Sequence, residues 1–532
     1  MRHKSSPAAM SRHERGIWLV LGPLLFMLVV GLYFIARYGG NWAEADSTTF
    51  TYVIRPFVAE GRIIPENGPV YPNGYTFQSI SAFILAFTGL DLVALQQWIY
   101  PLLSVVVVIP AWLFYREVTG SARGAALGAV LLLVQPEFLF VVLRSSHEKF
   151  TRAFMLLCLF FLFRSLRLDN QPRLLAVNIS LFYLVAFALS ASNNLLAHSF
   201  IFAMIIALVL GLVLRHHAFI AFPQRTAALQ RLFYASLISL IIIYVIMFYA
   251  YPPAAQSLKI MKSVVDQLSA LFLDVQTTGG ENTTNAYAYT ATGWISWPTY
   301  FLVSIANWVI LGISVTIWAV QGMRWFWFGR QPSSHTVWLV WLFYTAFAAQ
   351  GILSVVSDAS GALSSNLQHR LFSSFVLIAV ALVALTLHDW RPRRFNLPLR
   401  VILASAVACV AILSTFKATN EPLLSNKWTF YRPSELAALD WSDAYLRNEL
   451  IWTAYDERLA VAYLNARGVS PNKNEFVGYA SGSIRNLLIS PVTRLRGARL
   501  RQPLPVPADA LRVYDNGETE MYHLRPETPY QR

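Results

Sequence analysis

From residue 17 to about residue 416 the chain repeats apolar runs of roughly 20 residues, the length a helix needs to cross a bilayer. Such a run in lipid must satisfy its own backbone, so it folds as a helix. Spans are expected near 17–36, 97–115, 124–142, 151–168, 174–191, 198–214, 232–250, 297–320, 337–356, 371–387 and 401–416. The fold class is therefore an all-α polytopic membrane bundle of about eleven transmembrane helices. The stretch 75–90, "YTFQSISAFILAFTGL", is apolar but short, and reads as a helix lying on or dipping into the outer interface. The apolar run behind the basic start "MRHKSSPAAMSRHERG" has no A-x-A-like cleavage site after it and reads as a retained first span.

Charge sets the orientation. With the N-terminus inside, about 18 Lys and Arg fall in the short inner segments and about 9 in the longer outer loops before the tail. If 75–90 crossed the membrane, every later loop would invert and "HDWRPRRFNLPLR" would face outside, the worse fit to the positive-inside rule. The net charge of +14 thus follows membrane topology, and no nucleic-acid partner is expected. Two domains follow: a membrane domain over 1–416, with a long first outer loop at 37–96, and a small extracytoplasmic α/β domain over 417–532. In the second, "PSELAALDWSDAYL" reads as a helix with Ser434 as N-cap, and "RVYDNGETEMYHL" as a hairpin turning at Asn516–Gly517. Cys158 and Cys409 both lie in apolar runs and read as small buried hydrophobes. No CxxC or HExxH pattern marks a zinc site.

Polar chemistry gathers on the outer side. Glu44 and Asp46 open the first loop in "GGNWAEADSTTF". Arg144, His147, Glu148, Lys149 and Arg152 crowd the turn "VLRSSHEKFTRAF". Asp46 and Glu148 can sit at the outer ends of helices in one bundle, where two carboxylates share an ion or serve as base and electrostatic stabiliser. The bland alternative has Arg144, Lys149 and Arg152 snorkelling to headgroups. Glu137 is deeper, and a carboxylate there needs a partner on a neighbouring span. His369 and Arg370 end the loop "SDASGALSSNLQHR", and Arg suits bidentate phosphate binding. Asn193, Asn194 and His198 form a polar turn whose side chains suit a sugar, though a plain turn is the commoner meaning. Loop 251–296 has the composition of a lid and contains the weak acceptor pattern Asn282-Thr283-Thr284.

This arrangement resembles the GT-C class of membrane glycosyltransferases. A first span leads to a long outer loop with an early acidic residue, Asp46; interfacial helices follow near 50–60 and 75–90; a short outer turn holds a second acidic motif; a soluble domain closes the chain. The nearest likeness is to the catalytic subunit of oligosaccharyltransferases. In that family a proline-containing span runs into "R-S" and an acidic motif, as in "VQPEFLFVVLRSSHEKFTRAFMLLCLFFLF" (134–163), and residues 100–133 also look alike. Two departures stand out. His147 and Glu148 fall where the family carries two acidic residues, and the W-W-D-Y-G acceptor motif is absent, "LDWSDAY" (439–445) not being its equivalent.

The resemblance implies transfer of a sugar from a polyprenyl-phosphate-linked donor to an extracytoplasmic acceptor, with inversion, in cell-surface glycan or glycoprotein assembly. Asp46 and Glu148 are then the candidate catalytic residues. Arg370, His369, His147, Asn194 and His198 are candidate substrate contacts. A bound Mg²⁺ or Mn²⁺ is a candidate cofactor, with Asp46, Glu148 and His147 as ligands; otherwise the chemistry needs no metal. Membrane lipid is a partner in either case. A lipid-linked glycan flippase and a non-catalytic scaffold are the rival readings. The flippase would show broken spans and ionisable groups near several mid-span positions, where this chain has few besides Glu137.

The topology makes a direct prediction. With Cys158 and Cys409 replaced, a cysteine at Asn516 should react with an impermeant thiol reagent in intact cells, and one at Asn396 should not. The reverse pattern would overturn the orientation.

Overall fold

The computed structural model describes residues 16–66, 71–168, 170–214, 225–256, 258–259, 262, 297–359, 367–389, 397–419, 430–446, 449, 451–453, 456, 459, 485–494 and 506–524. It is a multi-pass helical membrane protein with a small C-terminal sheet. Among the described residues, eight helices are long and apolar enough to cross a membrane. They coincide with eight of the eleven expected spans.

The other three are helices of a different kind. The 124–142 segment is broken: Ala122–Leu133 (α5) and Pro136–Leu143 (α6) meet at 80°. The cause is local. Pro136 offers no N–H to the preceding turn and pushes Gln135 out of the helical region, where it sits at φ −82°, ψ 114°. The 151–168 segment lies in Glu148–Arg167 (α7), whose charged residues keep its hydropathy down. The 401–416 segment lies in the 22-residue Leu397–Ala418 (α15), whose Ala404–Ala418 part is apolar. In chain order the remaining helices are Leu21–Tyr38 (α1), Ala45–Glu60 (α2), Thr76–Thr88 (α3), Leu92–Thr119 (α4), Pro172–Ser192 (α8), Asn194–Val213 (α9), Arg225–Val245 (α10), Trp297–Val303 (α11), Ile305–Phe326 (α12), His335–Ala359 (α13), Leu367–Asp389 (α14) and Pro433–Tyr445 (α16). The lid expected over 251–296, with Asn282, falls from residue 263 onward outside the described residues.

Helix α3 has 13 residues, about 20 Å, too short to cross. It packs on α2, and Phe50, Val53, Ile54, Phe77 and Leu85 form with Leu95 and Tyr100 a small core of their own. On its other side Phe83 and Phe87 stand exposed and stacked, 6.1 Å apart, as an interfacial helix requires. The main core is assembled around α4, α7 and α14, where Val376 to Ala384 is almost wholly buried. Cys158 is buried there, but Cys409 is exposed on α15, so only one of the two thiols packs inside.

The deep carboxylate has the partner it needs. Glu137 Oε1 lies 2.6 Å from Nζ of Lys417 on α15, and Lys417 also donates to Ser304 Oγ at 2.6 Å. Both side chains are buried.

The C-terminal segment closes onto the first loop. Phe430 pairs through its backbone with Glu44, Tyr431 N donates to Ala43 O at 3.1 Å, and the Tyr431 and Thr48 hydroxyls meet at 2.9 Å. Beyond α16 a four-stranded sheet runs in the order β1 (Ile451–Trp452), β2 (Asn486–Ile489), β4 (Glu520–His523), β3 (Leu511–Asp515), with β1 and β2 parallel and the rest antiparallel. The hairpin turns at Asn516–Gly517 as expected, Gly517 taking φ 87°. Ser434 is not the N-cap: α16 is capped at Arg432, whose N–H donates to Glu435, while Ser434 donates to Glu518 at 2.6 Å.

The buried pair predicts a stability pattern. Glu137→Ala or Lys417→Ala alone leaves a charge stranded and should cost about 3 kcal/mol or more. Glu137→Leu with Lys417→Met should recover most of that loss in detergent thermal unfolding. Additive losses would show that the pair is not coupled.

Candidate active site

The site begins with Glu44. Its side chain caps α2, accepting from Asp46 N at 2.6 Å and from Ser47 N at 2.9 Å, and Ser47 Oγ donates to it as well. That bond set fixes the first turn of α2 and points Asp46 at the next element. Glu44 is fully buried. Burial, then the neighbouring Asp46 carboxylate, lift its pKa to about 7, against the opposing pull of Arg144.

The next element is the turn 144–147 between α6 and α7. Arg144 Nη1 lies 2.5 Å from Asp46 Oδ2, and Arg144 Nη2 lies 3.0 Å from Glu148 Oε1. One guanidinium therefore joins the two candidate carboxylates. It is held over the Phe140 ring, 4.7 Å from its centroid. Glu148 opens α7, and its second oxygen faces Arg152 at 3.8 Å. Arg152 donates to Arg370 O at 2.9 Å and to Ser374 Oγ, which ties α7 to the start of α14. The snorkelling alternative fails here: Arg144, Lys149 and Arg152 are buried, and Lys149 donates to Tyr100 O within the small core. Asp46 is the open member, its side chain 40% exposed, while that of Glu148 is 6% exposed.

His147 faces the other way. Asn193 caps α9 by accepting from Leu196 N with Oδ1, which fixes its amide nitrogen toward His147 Nε2 at 2.6 Å. The Tyr71 hydroxyl also approaches Nε2 at 3.4 Å and accepts from Asn73 at 3.1 Å. With Nε2 accepting, the ring proton sits on Nδ1. Burial, reinforced by Arg144, pushes the His147 pKa down to about 3, so the ring is neutral. Phe50 and Tyr71 pack against it at 5.0 and 4.9 Å. Asn194 N donates to Asn73 O at 2.6 Å, and its buried side-chain amide has no hydrogen-bond partner among the described residues.

Asp46 and Glu148 are therefore brought to one place, while His147, next to Glu148 in the chain, faces Asn193 and Tyr71, with Asn194 beside those partners. Arg370 starts α14 with an exposed side chain, and its charge acts on both Tyr71 and His147. His198 bonds back to Asn194 O on its own helix at 2.8 Å and is not joined to the carboxylates. The His369 side chain lies outside the described residues. Sequence reasoning missed Arg144 as the bridge, Glu44 as the cap, and Tyr71, Asn73 and Asn193 around His147. The four-residue spacing of Arg144, Glu148 and Arg152 was the available signal for the first.

A divalent ion does not fit this arrangement. It would approach carboxylate oxygens to about 2.0–2.6 Å, where Arg144 already holds one oxygen of each, Glu148 Oε2 faces Arg152 at 3.8 Å, and the two guanidinium charges oppose a further cation. The Nε2 lone pair of His147 is engaged by Asn193. Among the described residues, no group of three or more His, Cys, Asp or Glu is arranged to hold a metal. The chemistry the arrangement does offer is anionic recognition. The N-termini of α2, α7, α9 and α14 are linked through these contacts, and helix N-termini favour negative charge.

A pH test follows from Glu44. Its folded pKa lies above the ordinary value, so it favours folding below pH ~4.5 and loses that contribution as pH rises through 7. Glu44→Gln should flatten the fall of thermal stability between pH 5 and 7.5. An unchanged slope would show that Glu44 is not the titrating group.

No family model matches the sequence, and no curated protein matches it. Solved structures do. The archaeal oligosaccharyltransferase of Archaeoglobus fulgidus, in complex with an inhibitory peptide and a dolichol-phosphate, superposes with a TM-score of 0.55 at 10% identity, covering 89% of this chain and 70% of that one. An Archaeoglobus fulgidus oligosaccharyltransferase tethered to an acceptor peptide gives 0.51 at 12% identity over 89% and 69%. One in complex with Zn and sulfate gives 0.52 at 10% identity over 88% and 68%. The fold of this chain is similar to that of these membrane glycosyltransferases, in line with the GT-C resemblance of its sequence.

Proposed function

We propose that the chain is a GT-C-type glycosyltransferase that moves a sugar from a polyprenyl-phosphate-linked donor to an extracytoplasmic acceptor. One observation carries the reading: Asp46 and Glu148, at the N-termini of α2 and α7, are held on a single guanidinium. A scaffold has no use for such an arrangement, and the similar archaeal fold was solved with dolichol-phosphate. We take the membrane domain as 1–416 and the extracytoplasmic domain as 417–532, with the N-terminus in the cytoplasm.

In this reading Asp46, the solvent-facing carboxylate, takes the proton of the acceptor group. The freed oxygen or nitrogen bonds to the anomeric carbon as the carbon–oxygen bond to the lipid phosphate breaks. The attack comes from the opposite face, so the configuration inverts. The departing phosphate carries the bonding electrons and meets the positive charge of Arg144 and Arg370 and the helix N-termini. Glu148 holds Arg144 in register between Asp46 and that phosphate. His147, neutral and fixed by Asn193, orients sugar hydroxyls together with Asn194, and His198 is an outer member of the same binding face. The Mg²⁺ or Mn²⁺ expected from the resemblance would sit against the fixed charges of Arg144 and Arg152, and no step here is routed through it.

Asp46→Asn keeps shape and removes basicity. It should lower transfer by ~10²–10⁴-fold while added polyprenyl-phosphate still raises the thermal midpoint. Arg370→Ala should instead weaken that stabilisation. Glu44→Gln is no neutral control, because Glu44 caps the helix that carries Asp46. Near-normal transfer by Asp46→Asn would remove the base from this loop.

A further inference from the structure

We infer that Arg144 occupies the place of a divalent cation, so that this site works on a fixed guanidinium charge and takes no metal ion. The inference about the reaction rests on the transferase reading above; the inference about ion binding does not. Two carboxylates on separate elements, Asp46 on α2 and Glu148 on α7, are the usual way to hold a divalent ion between two parts of a fold. Here each gives an oxygen to a different nitrogen of Arg144, at 2.5 and 3.0 Å. The remaining Glu148 oxygen turns to a second guanidinium, that of Arg152. An ion entering this place would sit against two fixed cations, with one oxygen of each carboxylate already held by Arg144 and the other Glu148 oxygen facing Arg152. The neighbouring imidazole offers it no lone pair, since Asn193 engages Nε2.

Arg144 is also built in rather than adaptable. Its side chain is 11% exposed and lies over Phe140, on the turn that α6 and α7 pin from both sides. The planar fork reaches both carboxylates at once, which a lysine ammonium cannot do with the same geometry. It therefore does two jobs of a bridging ion: it joins the elements and presents positive charge where a departing phosphate needs it.

The test uses the full-length protein in detergent, stripped with EDTA and titrated with Mn²⁺ while free Mn²⁺ is followed by electron paramagnetic resonance. The wild type should show no stoichiometric site. Arg144→Ala frees both carboxylates and should gain one Mn²⁺ per chain, with a matching rise in thermal midpoint; adding Asp46→Asn should abolish the gain. Arg144→Lys, which keeps a charge in the gap, should stay ion-free. A wild-type site lost on Asp46→Asn would overturn the inference, and so would a folded Arg144→Ala that binds no Mn²⁺. If Arg144→Ala does not fold, the wild-type and Asp46→Asn titrations still decide. On the reaction side, transfer should stay within about twofold in EDTA, and loss restored by Mn²⁺ would overturn the inference. Absence of transfer under every condition would count against the transferase reading and leave the titrations standing.

Discussion

A buried guanidinium is expensive, and the structure around Arg144 is organised by that expense. Desolvation penalises the charge, and only close opposite charges with good geometry offset it. Asp46 and Glu148 provide them from two elements far apart in the chain. Because neither carboxylate can move away without stranding the other charges, α2 and the start of α7 are fixed to one another. Arg152 extends the same logic to α14 through Arg370 O. The crowd of ionisable groups between two apolar runs is thus a set of matched charges, with the one exposed carboxylate at its edge.

Much of this plan is legible in the sequence because bilayer physics is a strong filter. Length and hydropathy place eight long apolar helices at eight of the eleven expected spans, and the 13-residue α3 is too short for a span. What hydropathy does not carry is direction. Pro136 marks a helix start as readily as a bend, and hydropathy alone does not give the 80° between α5 and α6. In the same way, Glu137 announces that it needs a partner, but nothing near it in sequence names Lys417, 280 residues later.

The candidate site shows the same division. Asp46, Glu148 and Arg370 stand out as charges at helix ends. Glu44 does not, because an acidic residue two positions before another reads as ordinary loop until its cap geometry is seen. Tyr71 and Asn73 lie in "VYPNGY", which reads as a turn. They matter because Gly74 lets that turn press against the α8–α9 junction: a Cβ there would lie 2.4 Å from the carbonyl oxygens of Ala191 and Ser192. A long-range approach of backbone to backbone leaves only a glycine as its mark.

The contact of Phe430 with Glu44 bears on the order in which the protein comes into being. Glu44 meets Phe430 through its backbone and orders Asp46 through its side chain. One residue thus belongs to an edge supplied nearly 390 positions later and to the helix that starts the site. The ribosome makes the Asp46 helix early and its lateral support late. While the intervening helices are still being inserted, the cap on α2 lacks the backbone segment at Phe430 that pairs with it. The mouth of the site is finished only after the membrane bundle beneath it has been built.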